Sequence, residues 1–133
     1  MDGFVTLKSA NDFATTLGRL TDALKAKGVT IFAIVDHAAG AAHAGMSLRP
    51  TTLVIFGNPA VGTPLMQAAQ TVGIDLPLRA LIWEDANGAT HLSYNDPSWI
   101  AERYGAQNLP AVAALTTALN AVALHAAAPL TSP

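Results

Sequence analysis

No cysteine occurs in the 133 residues of this chain, so neither a disulfide framework nor a thiolate metal site can be built from it. Charge is scarce too, at 12% of residues, and the seven basic side chains, set against nine acidic ones, form no cluster. A protein that neutralises a row of phosphates needs such a cluster, so nucleic acid is not an expected partner. Nor does any stretch approach the roughly 18 consecutive apolar residues of a membrane-spanning helix. The apolar fraction of 51% is inflated by alanine, and no membrane partner is expected. Met1-Asp2-Gly3-Phe4 begins acidic and shows no basic segment ahead of an apolar core, which argues against a signal peptide and for the cytoplasm. Phosphate loop, dinucleotide fingerprint, nucleophile elbow and metal triad are all missing, so no cofactor and no metal site is assigned. His37 and His43 are six residues apart, a spacing that keeps them off a common helical face.

What is present is organised around Phe56 to Met66. An apolar run from Thr52 to Phe56 reads as a buried strand, stops at Gly57 and gives way to Asn58-Pro59 and Thr63-Pro64. Each proline fixes its own φ and biases the residue before it away from the helical region. The spacing predicts a stiff loop and then a helix with Thr63 as N-cap and Pro64 at its first position, a start that suits an anion. The same residues are also ordinary turn and cap chemistry.

Upstream, Phe4 to Leu7 reads as a short strand, and Ser9-Ala10-Asn11-Asp12 resembles a capping box. Phe13, Leu17, Leu20 and Leu24 then form the stripe of an amphipathic helix that Gly28 stops. Val29 to Val35 is apolar at both parities, which predicts a strand covered on both faces and ending in Asp36-His37. Ala38 to Gly45 reads as a short helix, and Leu65 to Val72 as two helical turns. Leu78 to Asp85 and Ala89 to Tyr94 are strands joined at Asn87-Gly88. A type I′ turn there places Trp83 beside Leu92, Leu81 beside Tyr94 and Arg79 beside Asp96 on a core face. Glu84 then lies beside His91, and Ile82 beside Ser93, on the other. Asn95-Asp96-Pro97-Ser98 caps a short helix to Tyr104, and Val112, Leu115, Leu119, Val122 and Ala126 mark a long helix over 108–126. The chain reads as one domain over 1–127, with its core over 4–104 and a frayed tail at 128–133.

Several of these motifs occur together and in order: Asp36-His37, Leu48-Arg49-Pro50-Thr51, Phe56-Gly57-Asn58-Pro59, Gly62-Thr63-Pro64-Leu65-Met66, Asp75-Leu76-Pro77-Leu78, Trp83-Glu84-Asp85 and Ser93-Tyr94-Asn95-Asp96-Pro97. Over residues 4–104 the chain thereby resembles the DUF302 family, a bacterial and archaeal domain of unknown function. The resemblance implies an α+β domain of the TT1751-like kind, with helices packed on an antiparallel β-sheet and a tendency to dimerise. It implies no catalytic residues. The order read from periodicity and turns, β-α-β-(α)-β-α-β-β-α-α, agrees with that fold.

Two classes of function follow. One is a small-ligand-binding or interaction module acting as a homodimer, with Gly57, Asn58, Gly62 and Thr63 as ligand-binding residues. The other is a small hydrolase or isomerase-like enzyme in which Asp36, His37, Glu84 or His91 supply a His/carboxylate acid-base pair. Self-association is expected because two strands apolar at both parities carry more apolar surface than one layer of helices covers. The stripe from Val112 to Ala126 is a second candidate surface for it. Between Asp36 and Thr52 the connection has little helical character, so antiparallel pairing of the flanking strands is expected. That arrangement sends Asp36, His37 and Arg49 to one end of the sheet and Asn58 and Thr63 to the other.

Overall fold

Five strands, β1 (Phe4–Lys8), β2 (Thr30–Asp36), β3 (Thr51–Gly57), β4 (Leu78–Glu84) and β5 (Thr90–Asn95), pair antiparallel throughout in the order β1-β5-β4-β3-β2. The structure is a computed structural model that describes residues 1–130, and the part of the expected tail at 131–133 lies outside the described residues. Helices α1 (Phe13–Ala26), α2 (His37–His43), α3 (Pro59–Ala68), α4 (Pro97–Arg103) and α5 (Pro110–Ala127) complete an α+β domain, with a 3₁₀ helix at Gln70–Asp75. Alternate residues of the central strands, Val54, Phe56, Ala80, Ile82, Leu92 and Tyr94, share one core with Leu20 and Leu24 of α1 and with Val112, Leu119 and Val122 of α5.

The stripe of α1 is the expected one, but its cap is not. Asp12 is the N-cap, accepting the Thr15 N–H at 2.8 Å, while Ser9 pairs its hydroxyl with that of Thr16 at 2.6 Å. The α5 stripe is buried inside this chain, against α1 and the sheet, which removes it as a pairing surface for a second copy. By length and composition α5 is apolar enough to cross a membrane. Its last turn is nonetheless tied to the rest of the chain. The carbonyls of Leu124, His125, Ala126 and Ala127 accept from Ala128 N–H, Arg19, Asn11 Nδ2 and Ala10 N–H respectively. The Leu124–Ala128 bond is the helix's own last one, whereas His125, Ala126 and Ala127 carry carbonyls that a helix leaves without internal partners. Asn11 Nδ2 also donates to the Ala128 carbonyl at 2.8 Å, so the first residue of the expected tail is held.

The hairpin forms in a register one residue away from the expected one. Ile82 faces Leu92, Trp83 faces His91 and Glu84 faces Thr90, so Trp83 and Leu92 lie on opposite faces. The Arg79–Asp96 pair does not form either, since the shift that sets Ala80 opposite Tyr94 carries Asp96 past Arg79, and Asp96 caps α4 through Ser98 N–H. Asp85 is the cause. Its Oδ1 accepts the N–H groups of Asn87 and Ala89, and its own N–H donates to the Ala89 carbonyl, which closes a three-residue loop over Ala86-Asn87-Gly88. Gly88 alone takes a positive φ, 81°, so the type I′ turn that needs it at both positions is not formed.

Strand β2 departs further from expectation. It lies at the edge of the sheet, and instead of being covered on both faces it leaves Phe32 52%, Ile34 53% and Val35 37% exposed.

Candidate functional site

Strand β3 ends at Gly57, and Asn58 turns the chain directly into α3. Asn58 is the N-cap, with its Oδ1 accepting the Ala60 N–H at 3.0 Å and its carbonyl accepting the N–H groups of Val61 and Gly62 at 2.9 Å. Pro59 at the first helical position has no N–H to offer. The expected start at Thr63 is therefore corrected: Thr63 is exposed within the helix, and Pro64 lies inside it. Every first-turn donor already has an acceptor, so the anion site expected there has no N–H groups left to form it. The helix also stops at Ala68 and passes into the 3₁₀ turn, ahead of the expected end at Val72.

Around this corner the walls are apolar. Two adjoining cavities of about 210 and 240 Å³ share Gly57, Asn58, Leu78 and Leu115. The first reaches Phe32, Pro59, Gly62, Met66, Leu76 and Pro77. The second runs under Leu24, Lys27 and Val29 to Leu119 and Val122 on α5. Of the expected ligand-binding residues, Gly57, Asn58 and Gly62 line the first cavity, while Thr63 lines neither. Sequence reasoning missed Leu115 as a wall, because its helical spacing marks only a core stripe.

The acid-base candidates are elsewhere. Strands β2 and β3 are antiparallel as expected, with Asp36 opposite Thr52 at one end and Thr30 opposite Gly57 at the other. Asp36 caps α2, accepting the Ala39 N–H at 2.9 Å, and His37 is an exposed first residue of that helix. Arg49 donates from Nε to the Glu84 carbonyl at 3.2 Å. The expected Glu84–His91 contact is replaced: His91 Nε2 lies 2.8 Å from Asp85 Oδ2, and its ring stacks on Trp83 at 4.4 Å. Trp83 Nε1 in turn donates to Ser93 Oγ at 2.9 Å, which satisfies a buried hydroxyl on the same face. The signal for Asp85 was its place two residues ahead of Asn87-Gly88, a position from which an aspartate bonds the backbone of the turn. Asp75, singled out as part of Asp75-Leu76-Pro77, accepts from Tyr104 Oη at 2.5 Å and from Arg103 at 3.3 Å, tying the 3₁₀ helix to α4.

Asp85 gives the hairpin a measurable signature. The hydrogen bond from His91, followed by that from the Ala89 N–H, lowers its pKa from 3.8 to about 2. A carboxylate depressed in the folded state adds stability above its unfolded pKa, and that contribution is lost as pH falls from 3.8 through about 2. Carbon-detected NMR should place the Asp85 midpoint near the lower value, and His91→Ala should move it back toward 3.8. An unchanged midpoint in the variant would exclude His91 as the main cause.

In sequence, residues 5–123 match the family described as a domain of unknown function, DUF302. Two curated relatives are named fluoride-specific ion channels, FluC 1 of Brucella suis and FluC 2 of Brucella melitensis, each 46% identical over 127 residues. The match covers 94% of this chain but 50% and 47% of those proteins, so the chain spans about half the length of the curated relatives it matches. The crystal structure of an uncharacterised conserved DUF302 protein from Bacillus stearothermophilus superposes with a TM-score of 0.81 at 19% identity, over 95% of this chain and 99% of that one. At that identity the likeness is one of fold.

Proposed function

This chain belongs to the DUF302 family of domains of unknown function, and from that premise we propose that it is a cytoplasmic small-ligand-binding module acting as a homodimer. The observation that carries the reading is the pair of adjoining apolar cavities where β3 turns into α3, bordered by Gly57 and Asn58. Apolar concavities with few polar groups are the usual form of small-molecule sites. No member of the acid-base set Asp36, His37, Glu84 and His91 lines either cavity, so binding has more support than catalysis. The homodimer rests on β2, an edge strand with no proline, lysine or arginine to block pairing, whose apolar side chains a second copy would cover.

A second reading comes from the relatives named as fluoride channels. This chain accounts for about half of their length, and its one membrane-length helix among the described residues is folded onto α1 and the sheet. The channel would then belong to their remaining half, and this domain would serve as an accessory module beside a membrane fluoride channel.

One preparation tests these readings. Native mass spectrometry of protein purified gently from its own cells should show a species of twice 13.7 kDa with a non-covalent adduct. A bare monomer at tens of micromolar would reject both the dimer and the ligand. Under the second reading a fluoride channel co-purifies from solubilised membranes, and its absence there rejects that reading.

A further inference from the structure

Resting on the ligand-binding reading of the cleft, we propose that the ligand is a short aliphatic carboxylate, with its chain between α1 and α5 and its head group held at the rim by Lys27. Among the residues lining the two cavities Lys27 is the one charged side chain, and no acid faces either space. It has no hydrogen-bond or ion-pair partner among the described residues, and a lysine at an apolar rim keeps its stem on the wall and its ammonium in water. Asn58 adds the second donor. Its Oδ1 is occupied by the Ala60 N–H, which leaves the side-chain N–H₂ as the group available at the mouth.

A cation and an amide donor without a neighbouring acid select an anionic head over an alcohol, and repel an amine. One cation matches a monoanion better than a phosphate monoester, which carries close to two charges. The body of the ligand follows from α5, where Ala114 and Ala118 lie one turn apart on the wall and leave a trough beside Leu115 and Leu119. A trough of that kind fits a linear chain.

The test is calorimetric titration of the full chain with octanoate, octanol and octylamine. Octanoate should bind about fivefold more tightly than octanol, and octylamine should show no binding. Lys27→Gln, at an exposed position, should lower octanoate affinity to that of octanol and leave octanol unchanged. Val61→Trp and, independently, Leu115→Trp should block both, with circular dichroism confirming that each variant is folded. Equal affinity for octanoate and octanol, unaltered by Lys27→Gln, would overturn the carboxylate assignment while leaving an apolar site in place. No binding of any of the three probes overturns this proposal, and a native mass spectrum without adduct then removes the ligand-binding reading as well.

Discussion

Replacing Leu92 by alanine is expected to lower the stability of this domain by about 2–5 kcal/mol, whereas Trp83→Ala, which deletes a far larger side chain, should cost about 1–2 kcal/mol. The contrast follows from the hairpin register. Leu92 is fully buried opposite Ile82, so removing its isobutyl group leaves a cavity that the strands on either side cannot close. Trp83 is half-buried on the opposite face, where the variant loses one stacked imidazole and one hydrogen bond to Ser93. Urea denaturation of the two variants decides the point. A Trp83→Ala penalty larger than that of Leu92→Ala would return the hairpin to the register that a type I′ turn imposes.

The same hairpin shows what a sequence conveys and what it withholds. Both strands and their junction are legible from alternation and from Asn87-Gly88. The pairing within them is not, because one carboxylate at Asp85 competes for the turn amides, and a shift of one residue reverses every face. In β2 the difficulty lies elsewhere. A strand apolar at both parities reads alike whether it is covered by helices or waits at an edge, and only the strand order separates the two. The antiparallel pairing of β2 with β3 was legible from the weak connection between them, and it sorts Asp36, His37 and Arg49 away from Asn58. At the α3 start, Asn58-Pro59 and Thr63-Pro64 offer the same cap-proline signal, and the first wins because the helix can follow the strand without a loop. The cleft drew on Lys27 and Leu115, residues distant in sequence from Gly57, and nothing in local periodicity connects them.

The alanine richness that inflates the apolar fraction has a physical role in α5, and a substitution there should expose it. Ala123 and Ala126 are fully buried on the side of α5 that meets α1 and the sheet, so their small size sets how closely the two helices approach. A leucine at Ala123 needs room that a shift of α5 would ordinarily provide. That shift is opposed at the C-terminal end of the helix, where Asn11 and Arg19 hold the carbonyls of Ala126 and His125. Ala123→Leu is therefore expected to destabilise the chain by about 1–3 kcal/mol through overpacking. The adjacent control is informative, since Ala121 is exposed on the same helix and Ala121→Leu should remain within about 0.5 kcal/mol of wild type. Thermal and urea denaturation of both variants measure the difference. A helix facing lipid would accept leucine equally at the two positions. Equal, small effects would show that α5 is not docked against α1, whereas a penalty confined to Ala123 identifies α5 as a core helix whose apolar character serves packing.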